Sequence, residues 1–322
     1  MRAVLRFSGS RLISAAITLV GAMVALFLIL RLVPGDVVSV MLGPRATPEL
    51  RARLAAEMGL DRGTLEQLWI FLSRAAVGDF GTDVISRRPI FDIVTEVLPH
   101  TLALALAGMG TSLLAGIPLG VLAAWRPGGL LDRALGVLSV SLITTPALVV
   151  AILLLVVFSA HLRWLPVSGA GEPGDLLDQA AHLVLPTLAI ALGWIGYIAR
   201  LVRAALLEVM AEPHVRTLRA YGVSEARLVR HFALRPALVP VVAILGIGLG
   251  DMIGSAVFAE LIFARPGLGR LMEAAIGNRN YPVLQASVVI VVVIYITANL
   301  LTDLLNAALD PRVARSLHES GP

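Results

Sequence analysis

Cysteine is absent from the 322 residues, and so is lysine: all 26 basic residues are arginine. Without cysteine the chain has no disulfides, no thiolate metal sites and no cysteine nucleophile. Without lysine it cannot form a Walker A loop, whose lysine reaches the β- and γ-phosphates of a nucleotide, nor a lysine Schiff base. Charge of either sign is scarce, at 15% of residues, while 57% are hydrophobic. Soluble domains carry about 25% charged and about 45–50% apolar residues. Catalytic patterns are missing too. There is no G-x-S-x-G, no H-E-x-x-H and no pair of carboxylates inside an apolar run. The six histidines (His100, His161, His182, His214, His231 and His318) include no i,i+4 pair and sit beside no carboxylate cluster, so neither a metal site nor a cofactor is expected.

The apolar residues are gathered into runs long enough to cross a bilayer, for which about 20 residues suffice. Six segments qualify: 12–30, 101–124, 134–160, 183–199, 237–259 and 283–302. Five contain no charged residue, and the fifth contains only Asp251. The chain reads as an all-α polytopic membrane protein. Arg2, Arg6 and Arg11 precede the first run as in a signal peptide, but that run is longer than a signal core and no A-x-A site ends it. A retained anchor helix over 1–32 is expected.

Arginine in short loops sets orientation. With the N-terminus inside, the inner pieces hold 14 arginines and the two short outer loops, 160–182 and 260–282, hold 4. Both termini are therefore expected in the cytoplasm. The segment 33–99 carries 7 arginines against 9 acidic residues and is long enough to be translocated regardless of charge. It reads as an extracytoplasmic subdomain (33–94) with helical patterns near 48–58 and 65–76. The sequence pI of 10.2 follows from arginine placed by topology, and nucleic acid is not an expected partner. No internal repeat of the kind that marks many secondary transporters is present.

One stretch is soluble in character. "HVRTLRAYGVSEARLVRHF" (214–232) lies in the largest inner loop, between spans four and five. Pro213 suits a first helical turn, Val215, Leu218 and Tyr221 recur at helical spacing, and Arg216 and Arg219 point elsewhere. Gly222 fits the left-handed position past a helix end. Ser224 is a candidate N-cap with Glu225 at the positive end of the next helix. That helix offers Leu228/Phe232 and Val229/Ala233 as i,i+4 apolar pairs, and Pro236 and Pro240 lead into span five. The expectation is helix, glycine turn, helix. Physically this is either an interfacial helix on anionic headgroups or a docking surface for a cytoplasmic partner.

Gly222 followed by nine residues and then "FALRPALVP" resembles the EAA loop of bacterial ABC importer permeases. With "RLVPGD" (31–36), "IPLGVLAA" (117–124), "RWLPVSG" (163–169), "RPGLGR" (265–270), "YPVLQ" (281–285) and "LDPR" (309–312) in this order, nearly the whole chain is similar to the DppB/OppB/NikB branch, the dipeptide, oligopeptide and nickel permeases. The resemblance implies a type I importer permease domain over 95–309, with a coupling loop at 208–240 and a cytoplasmic tail at 310–322. It implies that Val215, Arg216, Thr217, Arg219, Ala220, Tyr221, Gly222, Ser224 and Glu225 engage an ATPase. It also implies the partners: a second permease subunit, two cytoplasmic ATPase subunits and an extracytoplasmic binding protein that meets the 33–94 subdomain and the loop 263–282. ATP would be hydrolysed by partners, and the chain would itself be no enzyme. Leu218, Tyr221 and Pro236 depart from the family's usual alanine, lysine and asparagine. Peptides are the expected cargo in the membrane of a bacterial cell, with nickel or another small solute as the alternative. A secondary transporter or channel working without an ATPase is the rival from another class.

Asp251 is the informative residue within the spans, since intramembrane ionisable groups are rare and default to function. Two readings stand: a hydrogen bond to a neighbouring helix, or a pathway carboxylate favouring cationic cargo. Gly246, Gly250 and Gly254, and likewise Gly116 and Gly120, form G-x-x-x-G patterns. These fit close helix packing or, around Asp251, a surface that moves as the pathway opens.

Overall fold

The computed structural model describes residues 2–32, 47–49, 52, 56, 61–83 and 85–309. The helical pattern expected near 48–58 and the tail 310–322 lie outside the described residues, wholly or in large part. Ten helices of eight residues or more carry the described fold. They are α1 (Arg2–Leu32), α2 (Thr64–Ala76), α3 (Ile90–Trp125), α4 (Leu130–Thr144), α5 (Ala147–Leu154), α6 (Leu176–Met210), α7 (Pro213–Ala220), α8 (Leu245–Ile262), α9 (Leu268–Gly277) and α10 (Tyr281–Leu309). The expected helix near 65–76 is α2.

Five helices are long and apolar enough to cross a membrane, and a sixth crossing exists if a bent pair counts as one. The bent pair corrects the third expected span. In place of one helix over 134–160, α4 stops at Thr144 and the chain turns by 102° before α5, which runs on as a π-helical stretch to His161. The cause is Pro146. A residue before proline is pushed out of the α region, and Thr145 is extended at φ −84°, ψ 120°. Its N–H and hydroxyl both turn back to the Ser141 carbonyl, at 3.1 and 2.7 Å, and close the end of α4. The fifth span is corrected as well. Pro236 and Pro240 break residues 225–243 into short helical pieces, and the uninterrupted helix begins only at Leu245. The fourth is longer than its apolar run, because the Asp175 carboxylate caps α6 by accepting from the N–H groups of Leu177 and Asp178.

The chain divides into two compact units, residues 1–100 with 266–296, and 101–265 with 297–322. In the first, Ile90, Val94, Leu268, Ala275, Val283, Leu284 and Ala286 form a core from α3, α9 and α10. Phe27 of α1 stacks on Phe71 of α2 at 6.4 Å. A polar clamp closes this unit. Asp83 accepts from the Ser86 N–H (2.7 Å), the Ser86 hydroxyl (2.6 Å) and, across 197 positions, the Asn280 amide (2.6 Å). Burial opposes the charge on Asp83, but these hydrogen bonds outweigh it and hold the carboxyl below its ordinary value. Because the folded value is the lower one, the stabilisation is complete above the unfolded value of about 3.9 and is lost as pH falls through the folded value. The hydrogen-exchange protection factor of the Ser86 amide, taken relative to the intrinsic rate at each pH, is accordingly expected to fall on acidification below about pH 4. Asp83→Asn is expected to abolish that pH dependence.

In the second unit, α6 is the central helix and glycines let its neighbours approach. A Cβ on Gly116 would lie 2.9 Å from Ile198, one on Gly120 2.6 Å from the Ala199 carbonyl, and one on Gly196 2.8 Å from the Ser139 carbonyl. The packing reading of the Gly116/Gly120 pattern therefore holds, with α3 seated on α6. For the second pattern it holds at Gly246, where a Cβ would meet Asn299 Oδ1 of α10 at 2.8 Å. It does not hold at Gly254, which faces open space.

Candidate functional sites: the glycine-hinged loop and the Asp251 cavity

The expected helix–turn–helix is present. Pro213 opens α7, the helix ends at Ala220, and Gly222 takes φ +83°. Nothing lies within 4 Å of a Cβ built there, so the position asks for glycine by its backbone angle and not for lack of room. Val215 is fully buried among Leu206 and Val209 of α6 and Leu228, Val229, Ala233 and Ala237 beyond the turn. It is the root of α7. Arg216, Thr217, Arg219, Ala220, Tyr221 and Gly222 are exposed around it. Tyr221 breaks the expected apolar stripe: α7 has ended before it, its backbone has left helical angles, and it is 83% exposed.

Two further details differ from expectation. Ser224 occupies the N-cap position, but its carbonyl, and not its side chain, accepts from the next turn, from the N–H groups of Arg227 and Leu228. Residues 228–233 are π-helical, so the buried set is Leu228, Val229 and Ala233 while Phe232 turns outward. The wider turn replaces the i,i+4 match of Leu228 by an i,i+5 match to Ala233. Across the glycine, the Arg219 guanidinium donates to both oxygens of Glu225, at 2.5 and 3.1 Å. The hydrogen bond from Arg219 holds the Glu225 carboxyl below its usual range, and the same bond raises Arg219. Below the hinge, the Arg203 guanidinium of α6 grips Asp132 in the first turn of α4 through Nε and Nη2, and the Gly128 N–H also donates to this carboxylate at 2.8 Å. Sequence reasoning missed that bridge. The only signal was a lone acid beside an arginine-bearing loop.

Asp251 makes the hydrogen bond to a neighbouring helix that the first reading expected, and it also faces a cavity. Its Oδ2 accepts from the Trp194 indole N–H of α6 at 2.9 Å, and it lines a cavity of about 400 Å³ walled by α4, α5, α6 and α8. Trp194 and Tyr197 stand edge to face at 5.4 Å on that wall. Gly250 and Gly254 are near Asp251 on α8 but do not line the cavity.

A second acidic residue of α8 escaped notice because the apolar run ends one position before it. Glu260 is fully buried and accepts from the Thr101 hydroxyl of α3 at 2.6 Å. Its carbonyl accepts from the Arg265 N–H at 2.9 Å. Arg265 is itself only 4% exposed. Burial pushes its guanidinium below the ordinary value against the opposing pull of Glu260.

Comparison with known proteins gives this chain relatives in sequence and in fold. Residues 116–315 match the family described as binding-protein-dependent transport system inner membrane component, and residues 4–105 match the N-terminal part of such membrane components. A probable peptide ABC transporter permease of Sinorhizobium fredii is 37% identical over 304 residues, covering 94% of this chain and 97% of that protein. The glutathione transport system permease GsiC of Escherichia coli K12 is 36% identical over the same coverage. In structure, an inward-facing form of the MetNI methionine ABC transporter superposes with a TM-score of 0.56 at 22% identity, covering 68% of this chain and 96% of its own, which supports the fold. The family is one of transport permease components, multi-pass proteins of the inner membrane, and this chain belongs to it.

Proposed function

We propose that this chain is the permease subunit of an ATP-driven importer for short peptides, working with a second permease, two cytoplasmic ATPase subunits and an extracytoplasmic binding protein. The observation that carries this reading is α7, an arginine-bearing helix fixed by one buried residue, Val215, with its remaining faces exposed. An interfacial lipid helix would turn an apolar face outward to the acyl chains. Here the apolar face is already spent on the protein's own core. Peptide cargo is supported by the relatives named for peptides and for glutathione.

In this reading both termini and α7 are cytoplasmic, and 33–94 and the loop 263–282 meet the binding protein. Closure of the ATPase pair on ATP moves α7. The buried cluster around Val215 passes that motion to α6 and to residues 228–237, and the Asp132–Arg203 bridge carries α4 along. The chain contributes no covalent chemistry; the ATPases hydrolyse ATP, and α8 with Gly250, Asp251 and Gly254 borders the pathway.

Affinity purification from native membranes tests this directly. Two ATPase chains and a second permease are expected to accompany the wild-type protein. The ATPase chains are expected to be lost when Arg216, Thr217, Arg219 and Tyr221 are changed together to Ala, a variant that leaves Val215 in place. Recovery of the chain alone, or as a homo-oligomer, would refute the importer reading.

A further inference from the structure

We propose that the Asp251 cavity is a cation site that takes a primary ammonium group of the cargo. The proposal rests on the importer reading and deepens it.

The cavity is charged on one side only. Its lining holds one acid, Asp251, and no basic residue, and among the described residues Asp251 has no ion-pair partner. Asp251 is exposed on the cavity wall, and Trp194 supplies one neutral hydrogen bond to one of its two oxygens. The other oxygen remains an acceptor.

A second acceptor comes from the bend. Pro146 has no N–H, so the carbonyl of Leu142 lacks the helical donor four residues on. That carbonyl lies over Gly193, 3.5 Å from where a Cβ would stand, and Leu142, Pro146 and Gly193 all line the cavity. Ser255 adds a hydroxyl to the lining. A primary ammonium has three donors and no acceptor, and residues of the cavity lining offer a carboxylate oxygen, a carbonyl and a hydroxyl. The rings of Trp194 and Tyr197 add π faces, which attract cations. A carboxylate cargo group would face Asp251 with like charge, and a purely apolar one would leave the Leu142 carbonyl unpaired. The chemistry selects an ammonium, whether a peptide α-amino group or a basic side chain.

Trp194 reports on its own site. In full-length protein in lipid nanodiscs, with Trp69, Trp125 and Trp164 changed to Phe, n-butylammonium is expected to shift Trp194 fluorescence saturably. Isosteric n-pentane, which lacks the charge and the donors, is expected to leave it unsaturated. Asp251→Asn is expected to weaken the ammonium response about tenfold or more, the effect of losing one good ionic contact, and Asp251→Glu to retain it. Equal responses to both probes, no ammonium response, or an unchanged response in Asp251→Asn would overturn the proposal. A failed fold is recognised by loss of the response in Asp251→Glu as well, and the Leu142-side variant Gly193→Val, which crowds the carbonyl, then reads the site independently and must reduce the response. Alanyl-alanine against N-acetyl-lysine amide, used as competitors, separates the α-amino from the side-chain source. None of these readings needs an ATPase, so they stand or fall apart from the copurification result.

Discussion

Gly222→Val is expected to cut ATP-driven uptake about tenfold or more while leaving the membrane core folded. At φ +83° a β-branched residue is held in the left-handed region, at a cost of about 1–3 kcal/mol. Nothing lies within 4 Å to clash with the new side chain, so strain is the whole of the effect. The chain can relieve it by rotating the turn. The parts that resist least are the exposed ones, α7 beyond Val215 and the Arg219–Glu225 pair, which spans the turn and would be pulled apart. Buried Val215 and Leu228 hold the two ends in place, so the loss concentrates in the exposed surface offered to a partner. Uptake into proteoliposomes by the assembled transporter should fall by about tenfold or more, the consequence of misplacing a contact worth about 1.4 kcal/mol or more. ATPase activity should no longer respond to loaded binding protein. Gly222→Asn, which tolerates the same backbone angle, should retain most of both. Full coupling in Gly222→Val would remove the hinge role.

Glu260→Gln is expected to have the largest effect on stability. The amide keeps the shape and can still accept from Thr101, but it cannot balance the guanidinium of Arg265. Arg265 is buried, and its Nε and Nη1 make no hydrogen bond within the protein. Glu260 supports the buried guanidinium through its charge and not through a direct ion pair, and removing that charge is expected to cost about 1–3 kcal/mol, the scale of a buried polar group left uncompensated. For a chain of this size that amounts to a drop on the order of 5 °C in melting temperature. The double variant Glu260→Gln/Arg265→Met should recover most of the loss, since it removes the buried charge together with the charge that opposes it. Thermal unfolding of the four proteins of this cycle in one detergent decides the matter. An additive double variant would mean that the two side chains do not act on each other.

The sequence by itself determined the class of the molecule and the position of its glycine-hinged loop. Bilayer crossing depends on a run of some twenty apolar residues, and the loop on Pro213, Gly222 and the alternation of arginine with apolar positions, all of which are local properties of adjacent residues. The same locality explains where the reading went astray. Both sides of Pro146 are uncharged, so the run 134–160 looked continuous, and the bend of 102° became visible only in the tertiary structure. Tyr221 matched a helical stripe, but the helix ended one residue earlier. What only the tertiary structure decided are the pairings between distant positions: Trp194 with Asp251 across 57 residues, Arg203 with Asp132 across 71, and Thr101 with Glu260 across 159. A polar group in an apolar run announces that it needs a partner, since leaving it unpaired in a medium of low dielectric is costly. Which partner it finds depends on which helix faces it, and that is set by the glycines that admit α3 and α4 to the surface of α6.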